Sequence, residues 1–146
     1  MEVDTTRSLG LDIGDKRIGV AISDPEGILA SPLTIITRRD EGRDIAAITE
    51  IIEQKQIGRV VVGLPRSMNG GLGRQADKIA AFTRRLCGHT EVPVEFRDER
   101  LTTVLAERLK RAAGAKKPRE KVRYDALAAA LILQGYLDEG HEPELP

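Results

Sequence analysis

Aromatic side chains are scarce in this chain, and cysteine is almost absent. Phenylalanine, tyrosine and tryptophan together make up 3% of the 146 residues, and tryptophan does not occur. We therefore expect an aliphatic core, and a platform of aromatic rings for stacking single-stranded bases is disfavoured. The single cysteine, Cys87, excludes an intramolecular disulfide and a cysteine-rich zinc site. We interpret it as a small helix residue.

The chain also lacks an excess of one charge and a long apolar run. The 23 basic residues balance the 23 acidic residues, so there is no general basic coat for nucleic acid. A phosphate-binding surface would require the charges to be sorted in space. The longest nearly apolar run, 126–133, is too short to cross a bilayer, and the acidic N-terminus has no secretion signal. We expect a cytoplasmic protein that does not bind membranes.

The remaining composition is typical of one soluble globular domain. Hydrophobic residues make up 40% of the chain and charged residues 32%, which is unlike a disordered protein. A length of 146 residues suits one domain with one core. We therefore predict a single domain over 1–146, with its core at about 8–138 and with flexible termini.

Alternation of apolar with small or polar residues predicts three strands at the start of the chain. The pattern covers 8–13 and 17–23, and a third strand lies within 28–36, where Pro32 delays or interrupts it. Short turns join these segments. We therefore predict an antiparallel meander.

Helical spacing then alternates with short apolar runs. The first predicted helix is capped by Asp40 and ends at Gly58. Further helices are predicted over 76–86, from Thr102 or Thr103 to Gly114, and over 122–137. The apolar run 59–64 predicts a strand that is covered on both faces, and 92–97 is another predicted strand. Because helices act as crossovers between parallel strands, the predicted fold is α/β: a mixed sheet, with the antiparallel three-strand meander, parallel strands and helices on both faces.

Asp12 is the first residue that could carry chemistry. It lies in mid-strand between Gly10 and Gly14, and the next strand offers Gly19 and Ala21 beside it. A carboxylate surrounded by missing side chains leaves room for a metal ion that carries phosphate. A surface aspartate of a hairpin is the alternative interpretation.

Two further acidic positions lie in the second half of the chain. Asp98, Glu99 and Arg100 end a predicted strand, at the edge where α/β sheets bind ligands, although a polar turn fits equally well. Asp125 lies near the start of the last helix and on its apolar stripe, where a helix cap or a salt bridge is the alternative. Three carboxylates brought together repel one another. A divalent cation with oxygen ligands, Mg²⁺ or Mn²⁺, would relieve that repulsion.

Basic residues near these acids are candidates for binding phosphate. The loop 63–74 contains four glycines, two arginines and an asparagine, and the basic run 116–123 precedes Asp125. An ordinary mobile loop and a solvated basic face are the respective alternatives. The candidate substrate-binding residues are Lys16, Arg17, Arg66, Asn69, Arg74, Arg100, Lys116 and Lys117.

Four motifs, in this order, resemble the YqgF family. They are LGLDIGDKRIGVA at 9–21, VVGLPRSMNG at 61–70, DERLTT at 98–103 and DALAAALILQ at 125–134. Members of that family are described as Holliday junction resolvase-like proteins and as pre-16S ribosomal RNA nucleases. The resemblance covers roughly residues 8–138 and implies a ribonuclease H-like fold. It also implies that Asp12, Glu99 and Asp125 are the catalytic and metal-binding residues, with Asp98 as the alternative to Glu99.

The function implied by this resemblance is that of a metal-dependent endonuclease. It would hydrolyse phosphodiester bonds of structured nucleic acid with Mg²⁺ or Mn²⁺, and process the 5′ end of pre-16S rRNA in ribosome biogenesis. The alternatives are a Holliday junction resolvase acting on branched DNA and a non-cleaving RNA-binding module. A phosphotransferase or ATPase of the actin type is disfavoured, because such proteins need two comparable domains around a cleft. We expect a monomer or a homodimer.

Overall fold

The computed structural model describes residues 7–65, 73–99 and 118–140, and for 65, 98–99, 118–125 and 140 it describes the backbone alone. The strands are β1 Arg7–Ile13, β2 Arg17–Ser23, β3 Ala30–Thr37, β4 Ile57–Pro65 and β5 Val94–Glu99. The helices are α1 Glu41–Gln54, α2 Arg74–Cys87 and α3 Pro118–Gly140. None of them is long and apolar enough to span a membrane.

The strands form one mixed sheet in the order β3-β2-β1-β4-β5. The first three strands pair antiparallel, whereas β4 is parallel to both β1 and β5. This arrangement confirms the predicted meander and the predicted parallel strands. Because β1 is the central strand of the five, its backbone is hydrogen-bonded on both sides, and its carboxyl end lies in the middle of the sheet edge.

The two faces of the sheet are covered by different helices. One face packs against α1 and α2 through aliphatic side chains that alternate along β1, β2 and β4, and Phe82 of α2 is its one buried aromatic among the described residues. The other face is covered by α3, whose Ala129 and Leu133 pack in one cluster with Ala21 of β2 and Val61 of β4. The core is therefore aliphatic, and helices lie on both faces, as predicted.

Helix α3 approaches β1 closely at Gly10. A Cβ atom at Gly10 would lie 2.8 Å from the Cβ of Leu133 and 3.0 Å from the carbonyl oxygen of Ala129. Further along the helix, the side chain of Gln134 accepts a hydrogen bond from the backbone N–H of Ala30 at 2.8 Å. Ala30 pairs with the end of β2, which lies opposite the beginning of β1. Helix α3 therefore packs on β1 and runs in the opposite direction, so that its earlier turns lie toward the carboxyl end of that strand.

A cluster of polar side chains attaches the later turns of α3 to β4 and β5. The Tyr136 hydroxyl accepts a hydrogen bond from Arg59 and donates one to Glu95, each at 2.7 Å. Arg59 also forms an ion pair with Glu95 at 3.2 Å. On β5, Arg97 forms an ion pair with Glu139 at 2.7 Å. Glu95 and Arg97 therefore lie on the face of β5 that α3 covers.

Removing the Tyr136 hydroxyl is expected to cost stability at neutral pH and less at alkaline pH. Burial, followed by the hydrogen bond to Glu95, raises the pKa of the Tyr136 phenol above its ordinary value of 10.0. A raised pKa in the folded state contributes stability that is present below pH 10 and is lost as pH rises through the folded value. Tyr136→Phe should therefore be about 1 kcal/mol less stable at pH 8, and the deficit should shrink above pH 10. Urea unfolding at pH 8 and at a pH above 10 measures the difference in stability between the variant and the wild type. A difference that stays the same at both pH values would contradict this prediction.

Several predicted boundaries differ from the structure. Helix α1 ends at Gln54 rather than at Gly58, because Gln56 adopts a left-handed conformation (φ 54°) and Gly58 already belongs to β4. The predicted start of the last helix at residue 122 is wrong, since α3 already begins at Pro118, which suits the first turn of a helix. The Asp40 cap is confirmed, because its side chain accepts a hydrogen bond from the backbone N–H of Arg43 at 2.9 Å. The predicted helix 102–114 lies outside the described residues.

Candidate active site

Asp12 lies in β1 on the face that α3 covers. Its strand neighbours Leu11 and Ile13 are buried in the core beneath α1 and α2, whereas Gly10, two residues before it, contacts α3. Asp12 is paired with Gly19 across the hairpin and is only half-buried. The carboxylate therefore lies on a strip of sheet where neighbouring positions lack bulky side chains, as the sequence predicted.

The β1–β2 turn, residues 14–17, follows Asp12 directly. The N–H of Gly14 donates to the carbonyl of Arg17 at 2.9 Å. A Cβ at Gly14 would lie 2.8 Å from that same oxygen, so the turn requires glycine. Lys16 is exposed at the turn and Arg17 is partly exposed at the start of β2. The structure thus brings two predicted phosphate-binding residues to the strand end that carries Asp12.

Asp98 and Glu99 are the last two residues of β5, which extends two residues beyond the predicted strand 92–97. Asp98 pairs with Leu64 and Glu99 with Pro65 at the end of β4. Strand pairing extends to Glu99 because the parallel partner β4 reaches Pro65 at this edge of the sheet. The ends of β1 and β5 flank β4, so two strand spacings, about 10 Å, separate them.

Asp125 lies in α3, one helical turn before Ala129. The carbonyl of Ala129 lies against Gly10, and the earlier turns of α3 point toward the carboxyl end of β1. Four residues of helix span about 6 Å, and two residues of strand span about 6.7 Å. Ala129 and Gly10 are in contact. From this contact, Asp125 lies about as far along α3 as Asp12 lies along β1, and in the same direction.

The other candidate residues are spread over described and undescribed segments. Arg74 is the first residue of α2 and is exposed. Arg66, Asn69, Arg100, Lys116 and Lys117 lie outside the described residues. Within the side chains that the structure describes, no three histidine, cysteine or acidic groups are placed to hold a metal ion. The side chains of Glu99 and Asp125 are not among those described.

The histidine and the cysteine that the structure describes lie away from this edge. Cys87 ends α2 and is exposed, and His89 follows it in the connection to β5, also exposed. The Nδ1 atom of His89 is bonded to the carbonyl of Arg85 at 2.8 Å. Both residues thus lie at the edge of the sheet where β5 begins, and Cys87 is a helix residue, as the sequence predicted. The described donor at the carboxyl end of β1 is a carboxylate, which suits Mg²⁺ or Mn²⁺.

Sequence reasoning missed a buried ion pair beside the β1–β2 turn. Asp44, in the first turn of α1, is 2% exposed and pairs with Arg38 at 3.2 Å. The guanidinium of Arg38 also donates to the carbonyl of Gly14 at 3.0 Å and lies 5.0 Å from the centre of the Phe82 ring. The sequence did carry a signal for this ion pair. Asp44 lies in the first turn of a helix that Asp40 already caps, and two arginines precede that helix.

A model of the RuvX family, described as Holliday junction resolvase, matches residues 6–139. The chain belongs to this family. The family is the one that the four motifs resemble, so that resemblance is confirmed. The prediction of an enzyme that hydrolyses phosphodiester bonds, a nuclease, is confirmed at the level of the family.

Similar chains of known sequence carry a more specific name. A protein of Moorella thermoacetica named "Putative pre-16S rRNA nuclease" is 49% identical over 132 residues, which cover 90% of this chain and 94% of that one. A protein of Synechococcus sp. with the same name is 47% identical over 136 residues, covering 93% and 91%. This RuvX-family chain therefore matches its relatives over nearly their whole length.

Solved structures share the fold at much lower identity. RuvC of T. thermophilus, in complex with a Holliday junction substrate, has a TM-score of 0.59 at 19% identity, covering 93% of this chain and 97% of that one. The Fowlpox virus resolvase, in complex with Holliday junction DNA, has a TM-score of 0.55 at 12% identity, covering 94% and 100%. These similarities confirm the predicted ribonuclease H-like fold.

Proposed function

We propose that this RuvX-family chain is a metal-dependent endonuclease that processes the 5′ end of pre-16S rRNA. The observation that carries the proposal is the position of Asp12. Its carboxylate lies on a glycine-lined strip at the carboxyl end of the central strand, next to a basic turn and in line with the early turns of α3. Because glycine has no side chain, a phosphate and its counter-ion can approach the backbone of this strip closely.

Glu99 is the proposed second carboxylate of the site. Successive residues of a strand alternate between faces, so Glu99 has the same phase as Glu95 and Arg97. Those two side chains contact Tyr136 and Glu139 of α3. Alternation therefore supports Glu99, rather than Asp98, on the face that carries Asp12.

Asp125 is the proposed third carboxylate, and together the three acids would hold Mg²⁺ or Mn²⁺. They are hard oxygen donors, the ligand type that these ions prefer. Within reach of such an ion, a water would become nucleophilic at neutral pH and the leaving 3′ oxygen would be stabilised. Without an ion, the three negative charges repel one another. The carboxylates therefore orient the reacting groups, and no side-chain general base is required.

Basic residues around this edge are proposed to bind the phosphates. Lys16 and Arg17 lie at the end of β1 that carries Asp12, and Arg74 lies at the start of α2. The sequence adds Arg66, Asn69, Arg100, Lys116 and Lys117 as further contacts. Each neutralised phosphate would release a counter-ion and make binding salt-dependent.

RNA is the substrate that the relatives favour. Proteins named for pre-16S rRNA are similar at 47–49% identity over about nine tenths of the chain, whereas the structures with Holliday junction DNA are similar at 12–19%. The family description nevertheless names a Holliday junction resolvase, so branched DNA is the second candidate substrate. We propose a cytoplasmic protein, monomeric or homodimeric, which would have access to both RNA and branched DNA.

Cleavage by the purified protein tests the proposal directly. Pre-16S rRNA fragments containing the 5′ leader, four-way DNA junctions and linear duplexes are incubated with Mn²⁺, with Mg²⁺ or with EDTA. We expect cut RNA with a 5′-phosphate on the downstream product, and no cleavage in EDTA. Cleavage of the junction alone would replace RNA by DNA as the substrate. Binding without cleavage under every metal condition would favour the non-cleaving module.

Asp12→Asn is expected to weaken Mn²⁺ binding on the order of 100-fold, because a ligand charge is lost with little change of shape. In the wild type, millimolar Mn²⁺ should raise the melting temperature. Without metal, the variant should melt no lower than the wild type, because one of the repelling charges is gone. Calorimetry and thermal melting measure both effects.

The matched control is Asp15→Asn in the same hairpin. Asp15 is exposed and lies 3.8 Å from Lys78 of α2, so its loss should change Mn²⁺ affinity by less than about twofold. Equal metal affinity in Asp12→Asn and the wild type would contradict the proposed site.

A further inference from the structure

The β1–β2 turn is held in place from one side by Arg38, which lies just after β3. The Nη1 atom of Arg38 donates to the carbonyl of Gly14 at 3.0 Å. Its backbone N–H donates to the carbonyl of Lys16 at 2.9 Å. Two carbonyls of one four-residue turn therefore bind a single residue, one through the side chain and one through the backbone.

The guanidinium of Arg38 is itself fixed by α1 and α2. Its Nε atom donates to the Oδ2 atom of Asp44 at 3.2 Å, and the Oδ1 atom of Asp44 accepts from the backbone N–H of Arg39 at 3.0 Å. The ring of Phe82 lies 5.0 Å from the guanidinium carbon, within the range of a cation–π contact. Asp44 lies in the first turn of α1, where the helix dipole favours its negative charge.

Burial distinguishes this ion pair from the others near the turn. In Arg38–Asp44 the side chains are 24% and 3% exposed, whereas in Arg43–Asp40 they are 70% and 61% exposed and in Lys78–Asp15 68% and 67% exposed. A buried ion pair loses much of its attraction to desolvation, so it is a poor source of stability. A rigid fork of donors, in contrast, can fix the geometry of its partners.

We propose that Arg38 is a positioning residue for nucleic-acid binding. Held by Asp44 and Phe82, its guanidinium fixes the carbonyl of Gly14 and so the direction in which Lys16 presents its ammonium group to a phosphate beside Asp12. This inference rests on the proposed function, because it requires nucleic acid to bind at the carboxyl end of β1. Arg38 acts through the turn and does not contact the substrate.

The test is a double-mutant cycle between Arg38 and Lys16, measured without metal. Fluorescence anisotropy in EDTA gives the Kd of a short RNA duplex with a 5′ single-stranded extension, at several salt concentrations. Arg38→Gln is expected to raise the Kd about fivefold in the wild-type background and to reduce the salt slope by about 1. In the Lys16→Ala background it should raise the Kd by less than about twofold, because the contact that Arg38 directs is already gone.

Two further variants separate positioning from general stability. Arg38→Lys keeps the ion pair with Asp44 but replaces the rigid fork of donors by a single nitrogen on a flexible stem, so it should recover the melting temperature without recovering the Kd. Arg59→Gln removes an arginine ion pair from the far end of the sheet. It should lower the melting temperature and leave the Kd unchanged. If Arg38→Gln does not fold, the Kd of Arg38→Lys still decides the question.

Three outcomes would overturn the inference. An equal rise in Kd in both backgrounds would mean that Arg38 itself binds phosphate. A lowered melting temperature with an unchanged Kd in Arg38→Gln would leave the ion pair with a structural role alone. Absence of binding by the wild-type protein, to this duplex and to the cleavage substrates, would remove the proposed function and this inference together, whereas the first two outcomes leave the proposed function intact.

Discussion

Glu99→Gln is expected to lower the rate of cleavage on the order of 1,000-fold while nucleic-acid binding survives. The substitution removes the charge of a proposed metal ligand and keeps its size. Residue 99 has the same phase along β5 as Glu95, whose carboxylate contacts Tyr136 on the α3 side of the sheet. Single-turnover cleavage at saturating Mn²⁺, together with the Kd in EDTA, separates loss of chemistry from loss of binding.

Asp98→Asn is the matched control for that variant. Asp98 is one residue away, pairs with Leu64 of β4, and has the opposite phase along the strand. We expect it to retain cleavage within about tenfold of the wild type, because an acid on the other face would not hold the metal. An active Glu99→Gln beside an inactive but folded Asp98→Asn would contradict the assignment and shift the ligand by one residue.

Gly10→Ala is expected to destabilise the protein by about 3 kcal/mol, a fall of about 10 °C in melting temperature. The new methyl group would lie 2.8 Å from the Cβ of Leu133 and 3.0 Å from the carbonyl oxygen of Ala129. Neither neighbour is the end of a flexible side chain, so α3 must move away from β1. Because Asp125 lies one turn before Ala129, the same movement should weaken Mn²⁺ binding.

Gly135→Ala offers a comparison within the same helix. A Cβ there would lie 2.7 Å from the Nη2 atom and 2.9 Å from the Cζ atom of Arg97. That guanidinium ends a flexible side chain and can shift, so the cost should stay below about 1 kcal/mol and metal affinity should not change. If the two alanine variants lose equal stability, the close approach of α3 at Gly10 is not the sensitive contact.

Much of the fold follows from patterns only a few residues long. Alternation predicted the three-strand meander and placed small residues around Asp12, and both agree with the structure. The cap at Asp40 was also visible, because a side chain that bonds the N–H three residues later is a local feature. The end of α1 was not, since the left-handed residue there is Gln56 rather than the expected glycine.

The candidate site divides in the same way. The sequence by itself determined that Asp12 lies in a strand among glycines, and the motifs suggested its partners Glu99 and Asp125. The tertiary structure decided that β5 extends through Glu99, that α3 contacts β1 at Gly10, and that Arg38 and Asp44 form a buried pair. Local periodicity is encoded within one strand or helix, whereas strand register and side-chain pairing depend on how distant segments pack. Gln134 and Ala30, for example, are hydrogen-bonded across 104 residues of chain, and no pattern within either segment specifies that contact.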